Sequence, residues 1–177
     1  MPAWVADPAN VARPRLNEAR GRDLSWSVTR GWRAQRLGNR HGGWALYTDL
    51  LSAESVVYSF GVGDDATFDL ALIERFGLTV HAFDPTPRAI DWVASQTMPR
   101  HFAFHPVGLA SFDGSATFKL PPRPDWVSYS MTAGPVNGAS TIEAPVKTLA
   151  TLMNEIGSLN IDVLKLEIEG AEFAVIG

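Results

Sequence analysis

The chain has no cysteine. That excludes disulfide bonds, thiolate metal sites and a cysteine nucleophile, and it is the usage expected in a reducing compartment. No apolar run approaches the roughly 20 residues that span a bilayer. The opening, MPAWVADPANVARPRL, lacks the apolar stretch of a secretory signal. A cytoplasmic protein with no membrane partner is the expectation. Also missing are a Tyr-x-x-x-Lys pair and any His and Asp arrangement suited to hydride chemistry. No single module interleaves basic and aromatic residues as a nucleic-acid platform does, so nucleic acid is not an expected partner.

What is present supports one sizeable core and a single domain, since 46% of the 177 residues are apolar. Charge is distributed unevenly. Residues 1–40 hold eight arginines (Arg13, Arg15, Arg20, Arg22, Arg30, Arg33, Arg36, Arg40) against Asp7, Glu18 and Asp23. That is +5 in a chain of net charge -4, which leaves -9 for the remainder. The basic stretch reads as a solvated face, with Trp26, Trp32 and Trp44 as anchors that pack it onto the core. The expected division is a basic lead-in, 1–54, and an ordered domain, 55–177.

Within that domain, apolar runs of strand length alternate with helical patterns. Val56 to Phe60 reads as a strand, followed by Gly61 and Gly63, then by Phe68, Leu72, Ile73 and Phe76 at helical spacing. Gly77 stands where a helix C-terminal glycine belongs. Leu78 to Phe83 form the next strand, which ends at Asp84, and Pro85 and Pro87 lead into a helix with Ile90, Val93 and Ala94 on one face. A third strand is expected over Phe102 to Leu109, and a hairpin or flap between Ser111 and Pro145. Leu149, Leu152, Met153 and Ile156 predict a further helix. Ile161 to Ile168 reads as a buried strand, and Gly170 opens a last helix.

This order predicts an α/β fold with a mostly parallel sheet and helices on both faces. Ligands of such sheets bind beyond the carboxyl ends of the strands. That rule gathers Gly61, Gly63, Asp84, the turn from Pro106 to Ala110 and the segment from Glu167 to Gly170 along one rim. Glycines at 61 and 63 permit a sharp turn and a close approach to a ligand. Asp64 or Asp65 is placed to cap the following helix or to hold a cationic amino group. Asp84 lies 21 residues after Gly63, about the interval at which an acid accepts ribose hydroxyls. Gly61, Gly63 and Ala66 also satisfy G-x-G-x-x-A, so a NAD-dependent oxidoreductase is an alternative reading. In DVLKLEIEGAEF, an extended chain puts Lys165, Glu167 and Glu169 on one side and Leu164, Leu166 and Ile168 on the other. A buried Lys165 requires a carboxylate partner, with Glu167 the candidate.

The strings SFGVGDD, HAFDPTPRAI, HPVGLAS and DVLKLEIEGAE, in this order, resemble the FkbM-type S-adenosylmethionine-dependent methyltransferases over Ser55 to Gly177. The resemblance implies a class I, Rossmann-like domain with S-adenosylmethionine as cofactor and a small-molecule or sugar hydroxyl as substrate. It implies that the Gly61 to Gly63 turn, with Asp65, holds the methionine end, Asp84 the ribose, and Gly108 and Leu109 the adenine. Candidates to take the acceptor's proton are Glu167, Glu169 and His105. Two departures accompany the resemblance: Ser59 stands where an acid often precedes the glycine turn, and Asp65 occupies a position that is usually small. The sheet is expected to stop after its fourth core strand, leaving an open edge beside Ile161 to Ile168. A homodimer through that edge, or its cover by residues 1–54, is the expected consequence. A cofactor-binding but inactive module is the remaining alternative.

Overall fold

The computed structural model describes residues 34–120, 130–131, 140–169 and 171–176, all within one unit, Ala34–Gly177. Trp26, Trp32 and all the lead-in arginines except Arg36 and Arg40 lie outside the described residues. A short antiparallel hairpin, β1 (Ala34–Leu37) and β2 (Trp44–Tyr47), comes first. It lies within the stretch expected to be lead-in, yet Leu37 is buried in the main core beside Phe68 and Leu72, with Leu46 packed against it. Neither AQRL nor WALY shows a clean two-residue alternation, which is why the hairpin has no clear signature in the sequence. Trp44 is 42% exposed, so it is not the buried anchor expected of it.

The central sheet follows the expected plan. It comprises β3 (Val56–Phe60), β4 (Thr79–Phe83), β5 (Phe102–His105) and β10 (Val163–Leu166), in the order β10-β3-β4-β5 and all parallel. Between them run α1 (Thr67–Phe76) and α2 (Pro87–Ser95). Gly77 ends α1 in the left-handed region, and its N–H donates to the Ile73 carbonyl at 2.8 Å. Thr86 caps α2, whose first residue is Pro87.

Side chains of β3 alternate between two cores, as a pleated strand requires. Val57 joins Leu72, Leu78 and Val80 on the α1 face, where Trp92 and Val93 of α2 also pack. Tyr58 and Phe60 join Phe83, Leu109 and Leu152 on the opposite face. Leu152 comes from α3 (Leu149–Ile156), so helices cover both faces of the sheet.

Two expectations are corrected here. The stretch 102–109 is not one strand. The chain turns after His105, and β6 (Gly108–Leu109) pairs in parallel with β9 (Thr141–Lys147) in a second sheet. That sheet has the order β6-β9-β7-β8, with β7 (Gly114–Lys119) and β8 (Ser130–Met131), and supplies the hairpin expected after Ser111. The strand over 163–166 is also less buried than its apolar run suggests. Among the described residues β10 is the outer strand of its sheet, and Leu164 is 40% exposed. The terminal α4 (Glu172–Ile176) leaves Phe173 and Ile176 exposed.

Candidate functional site

Beyond the carboxyl ends of β3, β4 and β10 lies a cavity of about 270 Å³. That is close to the lower end of ligand pockets, roughly 300–1,000 Å³. Its floor is the turn after β3. Gly61 N–H donates to the Phe83 carbonyl at 3.0 Å, and Gly63 N–H donates to Asp84 Oδ2 at 2.9 Å. Both glycines have positive φ, 85° and 56°. The close approach that requires Gly61 is to protein, however, because a Cβ there would collide with the Glu167 carbonyl oxygen. Glycine at this point lets the end of β10 sit against the end of β3.

Asp84 is buried at the tip of β4 and lines the cavity. Its Oδ2 accepts from Gly63, and its Oδ1 accepts from Thr86 N–H at 2.9 Å and from the Thr86 hydroxyl at 2.6 Å. A carboxylate has about four acceptor positions, so roughly one remains. There is capacity for one further donor, because the carboxylate already ties the glycine turn to the start of α2.

Lys165 is buried beneath the same turn. Its Nζ donates to the Gly61 carbonyl at 2.9 Å and pairs with Glu167 Oε2 at 3.0 Å, the partner expected from the strand's alternation. On the facing helix, Asp69 is 1% exposed, with Oδ1 lacking a hydrogen-bond partner, and Ser59 Oγ is likewise buried and unpartnered. Burial pushes the Asp69 carboxyl up to about 6, against the charge of Lys165 and the nearby Ser59 hydroxyl, with Asp65 and Glu167 adding to the rise. Ser59 is near enough to favour the charged form, but no hydrogen bond of ordinary geometry joins the two.

A pH dependence follows. Asp69 binds its proton more tightly in the folded chain than in the unfolded one. Its contribution to stability is present below the unfolded pKa near 3.8 and is lost as pH rises through about 6. Asp69→Asn is expected to remove this slope. Between about pH 4 and pH 8, denaturant melts should show the stability difference shifting by roughly 2.5 kcal/mol in the variant's favour. A constant difference would contradict the assignment.

Asp65 lies just ahead of α1, whose N-cap position is Ala66, and its Oδ1 accepts from the N–H of Thr67, the first residue of the helix, at 2.8 Å. Burial pushes its carboxyl up, but the Thr67 hydroxyl and amide and the Asn39 side chain outweigh that and hold it below the ordinary range. Asp64 pairs with Arg88 of α2 at 3.1 Å. Both acids line the cavity, as do Glu167, Glu169, Gly108 and Leu109. Glu169 has φ 52°, a conformation few non-glycine residues adopt. Gly108 sits tightly, since a Cβ would come within 3.0 Å of Pro85 and 3.2 Å of Val146.

His105 is not brought to the cavity wall. Its ring stacks on Phe83 with centroids 4.7 Å apart, and its Nε2 shares a hydrogen bond with His81 Nδ1 at 3.1 Å. Burial holds both imidazoles below the ordinary value. The neighbouring His105 lowers His81 further, and Glu155 opposes the fall at His105. Residues that the sequence did not place at the site are His41 and Gly42 from the β1–β2 turn, Thr86, Phe118 and Met131. In the sequence, His41, Gly42 and Gly43 read only as a turn, whereas Phe118 lies in an alternating run with nothing to mark its inward face.

The family described as the methyltransferase FkbM domain matches residues 55–177. The chain belongs to this family. A human relative, described as probable methyltransferase-like protein 24, is 28% identical over 121 residues, covering 68% of this chain and 26% of that protein. The chain therefore spans about a quarter of that relative's length. No solved structure matches the chain. The match to the FkbM methyltransferase domain includes the glycine turn, Asp84 and the Lys165 strand, while His41 and Gly42 of the cavity wall precede it.

Proposed function

We propose that this methyltransferase domain binds S-adenosylmethionine in the cavity and methylates a hydroxyl of a small molecule or sugar. The observation that carries the reading is the charge of the wall. Five carboxylates line the cavity, Asp64, Asp65, Asp84, Glu167 and Glu169, two of them paired with cations behind the wall, Arg88 and Lys165, and among the described residues no lysine or arginine lines it. A ligand with a sulfonium and an ammonium group suits such a wall. The pyrophosphate of a dinucleotide does not, and one N–H at the helix N-terminus that would receive it is already taken, since Thr67 N–H donates to Asp65. This weighs against the NAD alternative. Phe60, Phe83, Leu109 and Phe118 offer the apolar surface an adenine ring requires.

The cofactor, when bound, supplies an electrophilic methyl group. The chain's part is to align the acceptor oxygen, keep water out and take the acceptor's proton. Of the carboxylates proposed for the last task, Glu167 is held by Lys165. Glu169 is exposed on the wall and, among the described residues, has no side-chain hydrogen bond or ion pair, and its backbone is in the left-handed region, where strained residues often mark function. We assign the proton to Glu169. Glu169→Gln is expected to lower the methyl-transfer rate about 100-fold, with cofactor affinity nearly unchanged. The measurement is transfer of labelled methyl from S-adenosylmethionine to a panel of hydroxyl acceptors. An unchanged rate would exclude Glu169 as the base, and cofactor binding without transfer to any acceptor would favour the inactive module.

A further inference from the structure

The β1–β2 hairpin contributes His41 and Gly42 to the cavity, and neither lies in the stretch that defines the family. The hairpin is fixed to the site rather than resting near it. Asn39 N–H donates to Thr67 Oγ1 at 3.1 Å, and Asn39 Nδ2 donates to Asp65 Oδ2 at 2.6 Å. The same side chain's Oδ1 accepts from His41 N–H and Gly42 N–H, both at 2.7 Å, which shapes the turn. A Cβ on Gly42 would reach the Asp65 carboxylate, so the turn lies directly on the Asp64–Asp65 side of the cavity.

The donor inventory of the wall is short. Among the described residues that line the cavity, only His41 and Thr86 carry a side-chain hydrogen-bond donor, and the Thr86 hydroxyl donates to Asp84. Backbone donors nearby are largely committed. Gly61 donates to Phe83, Gly63 to Asp84, Asp65 to Val62, and His41 and Gly42 to Asn39. An amino-acid group bound here meets ample carboxylate for its ammonium but very little that answers its own carboxylate. Among the described residues, the His41 ring is the lining side chain left to do so.

Resting on the S-adenosylmethionine reading of the cavity, we infer that the His41 imidazole donates a hydrogen bond to the carboxylate of the cofactor's amino-acid end, while Asp64 and Asp65 face its ammonium. His41 then selects for ligands that retain the amino-acid group. The hairpin ahead of the family domain completes the cofactor site.

The test is calorimetric titration of the full chain and of His41→Ala with two probes, S-adenosylhomocysteine and methylthioadenosine, which lacks the amino-acid group. Loss of one hydrogen bond to a charged group should weaken S-adenosylhomocysteine about 10-fold or more and leave methylthioadenosine unchanged. Unchanged binding of the second probe also shows that the variant is folded. His41→Gln, which keeps a donor, should recover part of the loss. Equal losses for both probes would mean that His41 only supports the wall, and no loss for either would mean that it makes no contact; each overturns the inference alone. A wild-type chain that binds neither probe overturns the cofactor reading and this inference together.

Discussion

Lys165→Met is expected to destabilise the chain by about 1–3 kcal/mol, the cost of leaving the Gly61 carbonyl without its donor, since Glu167, the other partner of the lysine, is half exposed. Lys165 is 8% exposed and serves three neighbours at once. It donates to the Gly61 carbonyl, pairs with Glu167 and lies within the field of Asp69. Methionine matches its length but leaves the Gly61 carbonyl without this donor and Asp69 without its cation. The Asp69 carboxyl should then rise further, so the loss should be greater at high pH than at low pH. The double variant Lys165→Met, Asp69→Asn should recover part of the stability, because the orphaned acid is gone. Denaturant melts of the four chains in this cycle measure the coupling, and additive losses would show that Lys165 and Asp69 do not interact. Cofactor affinity should fall with the single Lys165 variant, since the turn that forms the cavity floor loses its prop.

Asp84→Ala is expected to weaken S-adenosylhomocysteine about 100-fold or more, through two effects that Asn separates. Alanine removes the acceptor for Gly63 N–H and for both donors of Thr86, so the glycine turn and the start of α2 are no longer tied together. Each buried donor left unmade costs about 1–3 kcal/mol. Asp84→Asn keeps one carbonyl oxygen and should restore much of the stability, while its loss of the negative acceptor should still weaken the ribose contact by about 10-fold. Melting curves and binding isotherms on the three chains distinguish the roles. If Asn binds the cofactor as well as Asp does, the side chain is a structural clamp and the ribose contact lies elsewhere.

The parallel sheet was legible because its signals are local and periodic. The apolar strands of β3 and β4, the stripe of α1 and the glycine at its end each state their structure within a few residues. The Lys165 to Glu167 pair was legible too, since a lysine in a strand read as buried demands a partner. Asp69 could have been noticed, as it shares a helical face with Ile73 and Phe76, but a single acid in a stripe says nothing of the lysine opposite it. Gly61 was read as space for a ligand when it is space for the Glu167 carbonyl, because a sequence does not reveal which backbone comes close. The break after His105 and the burial of its ring against Phe83 depend on a second sheet assembled from segments distant in sequence. His41 reaches the cavity only through the bonds of Asn39 to Asp65 and Thr67, which join residues more than twenty positions apart.

The central claim is that an acidic cavity at the glycine turn takes an adenosyl sulfonium ligand and not a dinucleotide. Parallel calorimetric titrations of the wild-type chain with S-adenosylmethionine, S-adenosylhomocysteine and NAD test it most directly. Saturable binding of both adenosyl ligands, with no heat of binding from NAD, is the predicted result. Binding of NAD alone would contradict it.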